Sequence, residues 1–595
     1  MSILAVLLVI LPFFIGLYYE WAVSISVICL TGLLAWTIKT KRRIDLYLST
    51  GSVCLLVLFL GALVSLFSGI AAGTGVYGVL RMVGVIELVL LLMQDETEKA
   101  AGSAEGELHV EHLANDGPMM PVDRSEKKTT RRALITYLPW AGLLYFLVSL
   151  LFYFLPGGRG YVYIDGRFAG LMGYANVTVA FFLISLICEN EKPMLPGRWA
   201  DKFLAVLQPL LMGFGILWTG SRLTAVLLLL FWLYILIQNR SKRLRNFLMG
   251  AGSMALVAIY LANIDHYSAL GRFRELFLAN ASSMIRPAYW LDAIRALVKR
   301  PLGFGYEGFF ISQGAIQSGP YYARWLHNGF LECAYSFGWI AGIAAVVLAI
   351  WSIGKAEGIE RLLLLIFAIR FFLDFDMQFL AMVYICLACM DWKEGRKYTI
   401  GWDSRFFFGL VYGIGALILA FSFWIGSANL SYYRGDVRMA SKIFPYDWEY
   451  QLQLMEMDEK KEKTAEKVVS LNPYCSAAWL ALSDAAGERG DFRKAVSDAV
   501  RAARYDSARP AKMENAYRLI LFANWAGQDG ALSGVSGESK ASDRSMDWYA
   551  GQLEEVIRLA EEVMARKNPF CVRAGYTVDE SGLLLQMKQS LSKMQ

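Results

Sequence analysis

Runs of about 20 apolar residues recur along this chain, and a helix rising 1.5 Å per residue needs such a run to cross a hydrocarbon layer of about 30 Å. Candidates lie near residues 2–18, 20–38, 51–70, 74–94, 133–155, 168–188, 203–219, 222–238, 246–263, 327–351, 359–375, 377–392 and 405–427. The pattern predicts an all-α protein, a polytopic bundle of about thirteen transmembrane helices. The 359–375 and 377–392 pair is short and interrupted by Asp374, Asp376 and Gln378. Residues 1–18 have no basic start and no small-x-small cleavage site, and Tyr18, Tyr19 and Trp21 follow as an interfacial belt, so the expectation is an uncleaved first helix.

Between these runs the basic clusters Lys39–Arg43, Arg124–Arg132, Arg240–Arg245 and Lys393–Lys397 fall on one side if the N-terminus is cytoplasmic. With an odd number of spans, the loop 157–167, the turn 219–222, the long loop 264–326, the turn 374–378 and everything after 428 then face outside. The polar stretch 95–132 reads as a disordered cytoplasmic loop, and His109 and His112 within it as remote from any site. Beyond residue 428 the pattern becomes soluble and helical. Trp479-x-x-Leu482, Gly490-Asp491-Phe492, Ala495 and Ala499 fit the helix–turn–helix spacing of a tetratricopeptide repeat, against the plainer reading of a helical stalk. A second amphipathic helix is expected over 548–566, after a mobile loop at 527–543. The domains expected are therefore 1–94, N-terminal transmembrane helices; 95–132, polar loop; 133–428, transmembrane core; and 429–595, an extracytoplasmic helical-repeat domain.

Composition sharpens this picture. With 56% apolar and 14% aromatic residues and a mean hydropathy of +0.41, the chain needs lipid as solvent. A net charge of +6 does not make it a nucleic-acid binder, because its Lys and Arg flank apolar segments, where they anchor and orient. Most of the eight cysteines sit singly in apolar runs, and Cys386-x-x-Cys389 lies inside a predicted span, so packing is favoured over redox or metal chemistry. Cys475 and Cys571 lie in the soluble part and are candidates for a disulfide in an oxidising space.

Ionisable groups at the edges of membrane helices mark functional sites. On the outer face these are Arg167, Arg222, Arg272, Arg274, Arg286, Arg324, His266 and His327. Arg286-Pro287, with Trp290, Leu291, Ile294, Leu297 and Val298 after it, reads as an amphipathic helix begun by proline and lying along the outer leaflet. Gly303-x-Gly305-x-x-Gly308 follows no strand and opens no βαβ unit, so it reads as a flexible loop, not a dinucleotide site. His327 carries the side chain best suited to take a proton near neutral pH, the bland alternative being an interfacial histidine bound to backbone. Asp374-Phe375-Asp376 is a D-x-D. It suits a divalent cation, but orienting an arginine or His327 is the preferred reading, with Glu332 a weaker candidate for the same task.

Arg167-x-x-Gly-x-x-x-x-x-Asn176, Gly220-Ser221-Arg222, Pro301-Leu302-Gly303-x-Gly305 and His327-Asn328-x-x-Leu331-Glu332, in this order, resemble the O-antigen ligase and polymerase family over roughly residues 130–395. The resemblance implies transfer of a glycan from an isoprenoid diphosphate carrier, undecaprenyl in bacteria, to an acceptor hydroxyl on the outer face of the cell membrane, with inversion. It implies no nucleotide sugar, metal or other cofactor. It gives Arg222 and Arg286 as diphosphate-binding residues with Arg167 a third, and His327 as the base; the residues themselves add Asn328, Glu332, Asp374 and Asp376 as orienting or supporting groups. The partners implied are the lipid-linked donor and a glycan, glycolipid or protein acceptor, with a protein docked on the repeat domain as a further possibility. Competing readings are a protein O-oligosaccharyltransferase, a transporter of anionic lipid or polysaccharide, and a non-catalytic envelope scaffold.

Overall fold

In lipid a backbone has no water to bond, so every peptide group must be satisfied within its own helix. The computed structural model follows that rule. It describes residues 3–95, 129–191, 198–221, 281–401, 405–458, 461–528, 540–566, 568–573, 578–579 and 581–595. Among these, 24 α-helices face only four short strands, and the class is all-α. Five of the described helices are long and apolar enough to cross a membrane: Glu20–Lys41, Thr50–Ser68, Ala72–Met93, Thr130–Phe154 and Gly409–Tyr433. Shorter apolar helices lie at Ile3–Phe13, Ala175–Ile187, Leu207–Trp218 and Trp339–Lys355. The expected spans at 222–238 and 246–263, and nearly all of the 95–132 stretch, fall outside the described residues.

Several expected spans are not continuous helices, each for a local reason. The first helix stops at Ile10, because Pro12 has no amide hydrogen to donate and Ile15, Gly16 and Leu17 all take positive φ. The run expected at 168–188 begins as a β-hairpin, and its helix starts only at Ala175. The run 327–351 is two helices, Gly329–Phe337 and Trp339–Lys355, broken at Gly338 with φ 93°. The second member of the short pair shrinks to Leu380–Ala388.

Large apolar side chains face outward as well as into the core. Leu56, Leu60, Val64 and Phe67 form one outward stripe on Thr50–Ser68, Phe67 being 91% exposed. Ile340, Ile343, Val347 and Ile350 do the same on Trp339–Lys355. Inside, Arg81 is buried and paired with Glu20 at 2.7 Å. Polar groups paired within and apolar groups outward are what a lipid solvent selects.

The two ends of the bundle differ. Strands β1 (Arg43–Leu48) and β4 (Arg396–Gly401) pair antiparallel, Arg43 opposite Gly401 and Leu48 opposite Arg396. This ribbon brings two of the basic clusters to one end. At the other end, where Glu20–Lys41 and Ala72–Met93 begin, Tyr77 donates to Asp447 of the C-terminal helices. Those helices run from Val437–Ile443 through Ser476–Glu488, Phe492–Arg504, Pro510–Gln528 and Lys540–Ala565 to Ser581–Met594. The Ser483 hydroxyl donates to the Ala495 carbonyl at 2.8 Å where Ser476–Glu488 meets Phe492–Arg504. Gly490 turns the chain between these two helices at φ 78°. Cys475 and Cys571 are both buried, in separate clusters, and both are free thiols.

Candidate active site

The end of the bundle opposite the ribbon gathers residues distant in sequence. Strands β2 (Tyr163–Ile164) and β3 (Arg167–Phe168) form a tight hairpin whose turn residues, Asp165 and Gly166, both have positive φ, as a two-residue hairpin turn of Asp-Gly type requires. The hairpin presents Arg167, whose Nε donates to the Thr219 carbonyl and whose guanidinium donates to Asn176 Oδ1, both at 2.7 Å. Asn176 stands in the first turn of Ala175–Ile187, and its Nδ2 donates to Asp374 Oδ2 at 2.7 Å.

Asp374 is the hub. It follows the last turn of Gly358–Leu373 and is 2% exposed. Its Oδ1 lies 2.9 Å from His327 Nδ1 and accepts from the Tyr174 hydroxyl at 3.2 Å and the Phe375 amide at 3.0 Å. Arg286 approaches Oδ2 to 3.7 Å and donates to the Leu373 carbonyl at 2.6 Å. Burial pushes the Asp374 carboxyl up, but the His327 hydrogen bond and the charges of Arg286 and Arg370 hold it well below the ordinary carboxylate range. An ionised carboxylate only accepts, so Nδ1 carries the proton and the lone pair of the neutral imidazole sits on Nε2. Burial lowers the His327 pKa from its ordinary 6.5, outweighing Asp374, so the ring is neutral at pH 7.

His327 has φ 53°, a left-handed backbone uncommon outside glycine, and its neighbours enforce it. The Leu326 amide donates to Glu332 Oε2 at 3.0 Å, and the Leu326 carbonyl accepts from Trp290 Nε1 at 2.8 Å. Asn328 caps Gly329–Phe337, accepting from the Leu331 amide at 3.0 Å. The ring of Phe375 meets the imidazole edge-on at 4.8 Å.

Asp376 does not reach His327. Its two oxygens take both arms of Arg370 at 2.7 Å, and the pair is 1% exposed on each side. Arg370 also donates to the Asn176 carbonyl at 2.8 Å, tying this pair to the hub. The aspartates thus spend their oxygens on protein donors. Arg370 and Tyr174 are absent from the candidates read from sequence, and Asn176 appears there only as the end of the Arg167 motif, with no role attached. A charged residue four positions before Asp374 inside an apolar run was the available signal for Arg370.

Arg222, Arg272, Arg274 and His266 fall outside the described residues. Arg324 is engaged by Glu307 at 2.7 Å and Glu449 at 3.1 Å, bridging to the C-terminal helices. The Arg286 helix spans Ala281–Lys299, so Pro287 sits inside it and does not begin it. Ile285, Ala288, Tyr289, Ala293 and Leu297 pack into a protein cluster with Phe309, Tyr321 and Leu326, whereas Ile294 and Val298 of the expected lipid-facing stripe stay exposed. The glycine loop is a fixed turn: a Cβ on Gly303 would stand 2.7 Å from the Gly338 amide nitrogen.

A model of the O-Antigen ligase family matches residues 209–346. The chain carries an O-antigen ligase domain. No curated protein and no solved structure matches the chain. The matched stretch of the ligase domain contains Arg286, His327, Asn328 and Glu332, whereas Arg167, Asn176, Arg370, Asp374 and Asp376 lie outside it. An O-antigen ligase-like membrane glycosyltransferase is what this match supports.

Proposed function

We propose that the protein transfers a glycan from an isoprenoid diphosphate carrier to an acceptor hydroxyl, with His327 as general base. The observation that carries this reading is the pair His327 Nδ1–Asp374 Oδ1 at 2.9 Å beside Arg286 and the Arg167–Asn176 arm. In this reaction the acceptor O–H loses its proton to His327 Nε2 as its oxygen attacks the anomeric carbon. The bond from that carbon to the phosphate oxygen breaks on the opposite face, and its electrons leave with the lipid diphosphate. The sugar inverts. Asp374 fixes the tautomer and stabilises the imidazolium that forms.

Charge grows on the departing diphosphate, and planar guanidinium groups meet such oxygens with paired hydrogen bonds. Arg286 and Arg167 supply them here, with Arg222 as a third. Arg370–Asp376 takes a supporting role beneath Asp374, as do Asn328 and Glu332 behind the His327 turn. A cleft of about 160 Å³ lined mainly by apolar groups, including Leu58, Met82, Val85 and Leu364, reaches Gly329 and Met377, which neighbour the site, and suits the isoprenoid chain. The basic ribbon at the other end supports an outward-facing site by the positive-inside rule, with the C-terminal helices on the same outer side of the cell membrane.

The test is extraction of isoprenoid-linked glycans from cells carrying the wild type or His327→Ala at matched protein levels. Single repeat units accumulating in the variant identify a polymerase, and finished chains identify a ligase. An unchanged pool overturns the assignment.

A further inference from the structure

The end of the chain reaches back to the loop that carries the site. Asn568, 2% exposed, donates through Nδ2 to Asp292 Oδ1 at 3.2 Å and to the Ala288 carbonyl at 3.3 Å, both on the helix that bears Arg286. Asp292, also 2% exposed, accepts in turn from the Ser318 amide at 2.8 Å, the Ser318 hydroxyl at 2.5 Å and the Tyr321 hydroxyl at 2.9 Å. The Tyr321 ring lies 4.6 Å from that of Tyr289, which lies 6.4 Å from the His327 imidazole.

Two residues earlier, Arg566 donates to the Ala315 carbonyl at 2.9 Å and the Gln317 carbonyl at 3.3 Å. These groups close the helix Gly308–Ile316, whose carbonyl end attracts a cation. Cys571 and Phe570 then complete the apolar cluster of Tyr289, Tyr321 and Leu326. One short stretch of the C-terminal helices thus holds the start of the segment that delivers His327, at Ala315 and Gln317 directly and at Ser318 and Tyr321 through Asp292. The oxygens of a carboxylate as buried as Asp292 must all be met by donors, so removing one donor loosens the others.

We propose that Asn568 is a positioning residue: through Asp292 it fixes the segment Ser318–His327, so the C-terminal helices complete the active site of their own chain. This rests on the reading of His327 as the base. Asn568 touches neither donor nor acceptor, and its loss misplaces the base without removing the diphosphate-binding arginines.

The experiment uses the purified full chain and, as donor, the lipid-linked glycan extracted from His327→Ala cells. For Asn568→Ala, kcat is expected to fall by about tenfold to a hundredfold, while KM for that donor stays within about twofold. Amide hydrogen exchange should quicken in peptides covering 313–327 and stay unchanged in those covering 476–504. A wild-type kcat, or unchanged exchange over 313–327, overturns the proposal. If Asn568→Ala does not accumulate as folded protein, Asn568→Ser is measured in its place, because it keeps an oxygen for the Phe570 amide and cannot reach Asp292, and the same outcomes decide. His327→Ala transferring at the wild-type rate removes the base assignment itself, whereas an inactive His327→Ala beside a fully active Asn568→Ala removes only the positioning role.

Discussion

At the residue scale the site is a chain of paired charges whose members have different tasks. His327→Ala should lower transfer by about 10²–10⁴-fold, the usual worth of a positioned base. Asp374→Asn should lose a comparable factor, because an amide can donate to Nδ1 and force the proton to Nε2. In both cases the rate is read at a matched amount of inserted protein. Burial lowers the His327 pKa from 6.5, so the basic form persists below that value and is lost only as pH falls further. The acid limb of the kcat profile should therefore lie below pH 6.5, and a limb above it would remove His327 from the reaction. Arg370→Ala is a different case. It strands Asp376 uncompensated in a buried setting and should cost about 3–5 kcal/mol, seen as lost thermal stability in detergent and not only as lost rate.

At the scale of elements, the breaks in helix position the chemistry. His327 stands at a left-handed turn just before Gly329–Phe337, Asp374 just after Gly358–Leu373, and Arg167 on a hairpin ahead of Ala175–Ile187. Gly303 ties the end of the Arg286 helix to the break at Gly338. Gly303→Ala, at φ 84° with backbone 2.7 Å from the new Cβ, should cost about 1–3 kcal/mol. Gly354→Ala, with nothing within 4 Å, should stay within about 1 kcal/mol of wild type in the same unfolding assay. Apolar runs predicted the positions of the long helices because twenty residues without charge have one low-energy form in lipid. They did not predict the interruptions at 11–17, 168–174 and 338, because proline and left-handed backbone geometry break a helix without changing its hydropathy.

At the scale of the molecule, the ribbon and the site occupy opposite ends, and orientation becomes measurable. In intact cells an impermeant maleimide should label Glu488→Cys and spare Tyr398→Cys, both exposed in the structure. The reverse pattern would place the site on the cytoplasmic side. The ribbon itself was legible in part, since the basic clusters share a side by charge alone, but their pairing joins strands some 350 residues apart. Arg286, His327 and the D-x-D were visible as polar residues beside apolar runs. Arg370 was hidden inside one such run, and Asn176 was visible only as part of the Arg167 motif, with nothing to show that it bridges Arg167 to Asp374.

By itself the sequence determined that this chain is helical, lives in lipid and gathers cations with one histidine at helix edges, because hydropathy and charge act locally and add along the chain. Only the tertiary structure decided which acid meets which base. Asp374 and not Asp376 takes His327, Arg324 is spent on Glu307 and Glu449, and residues 566–571 close over the Arg286 helix. Such choices depend on angstrom-scale distances between segments up to hundreds of residues apart, and those are set by how helices cross and where they break.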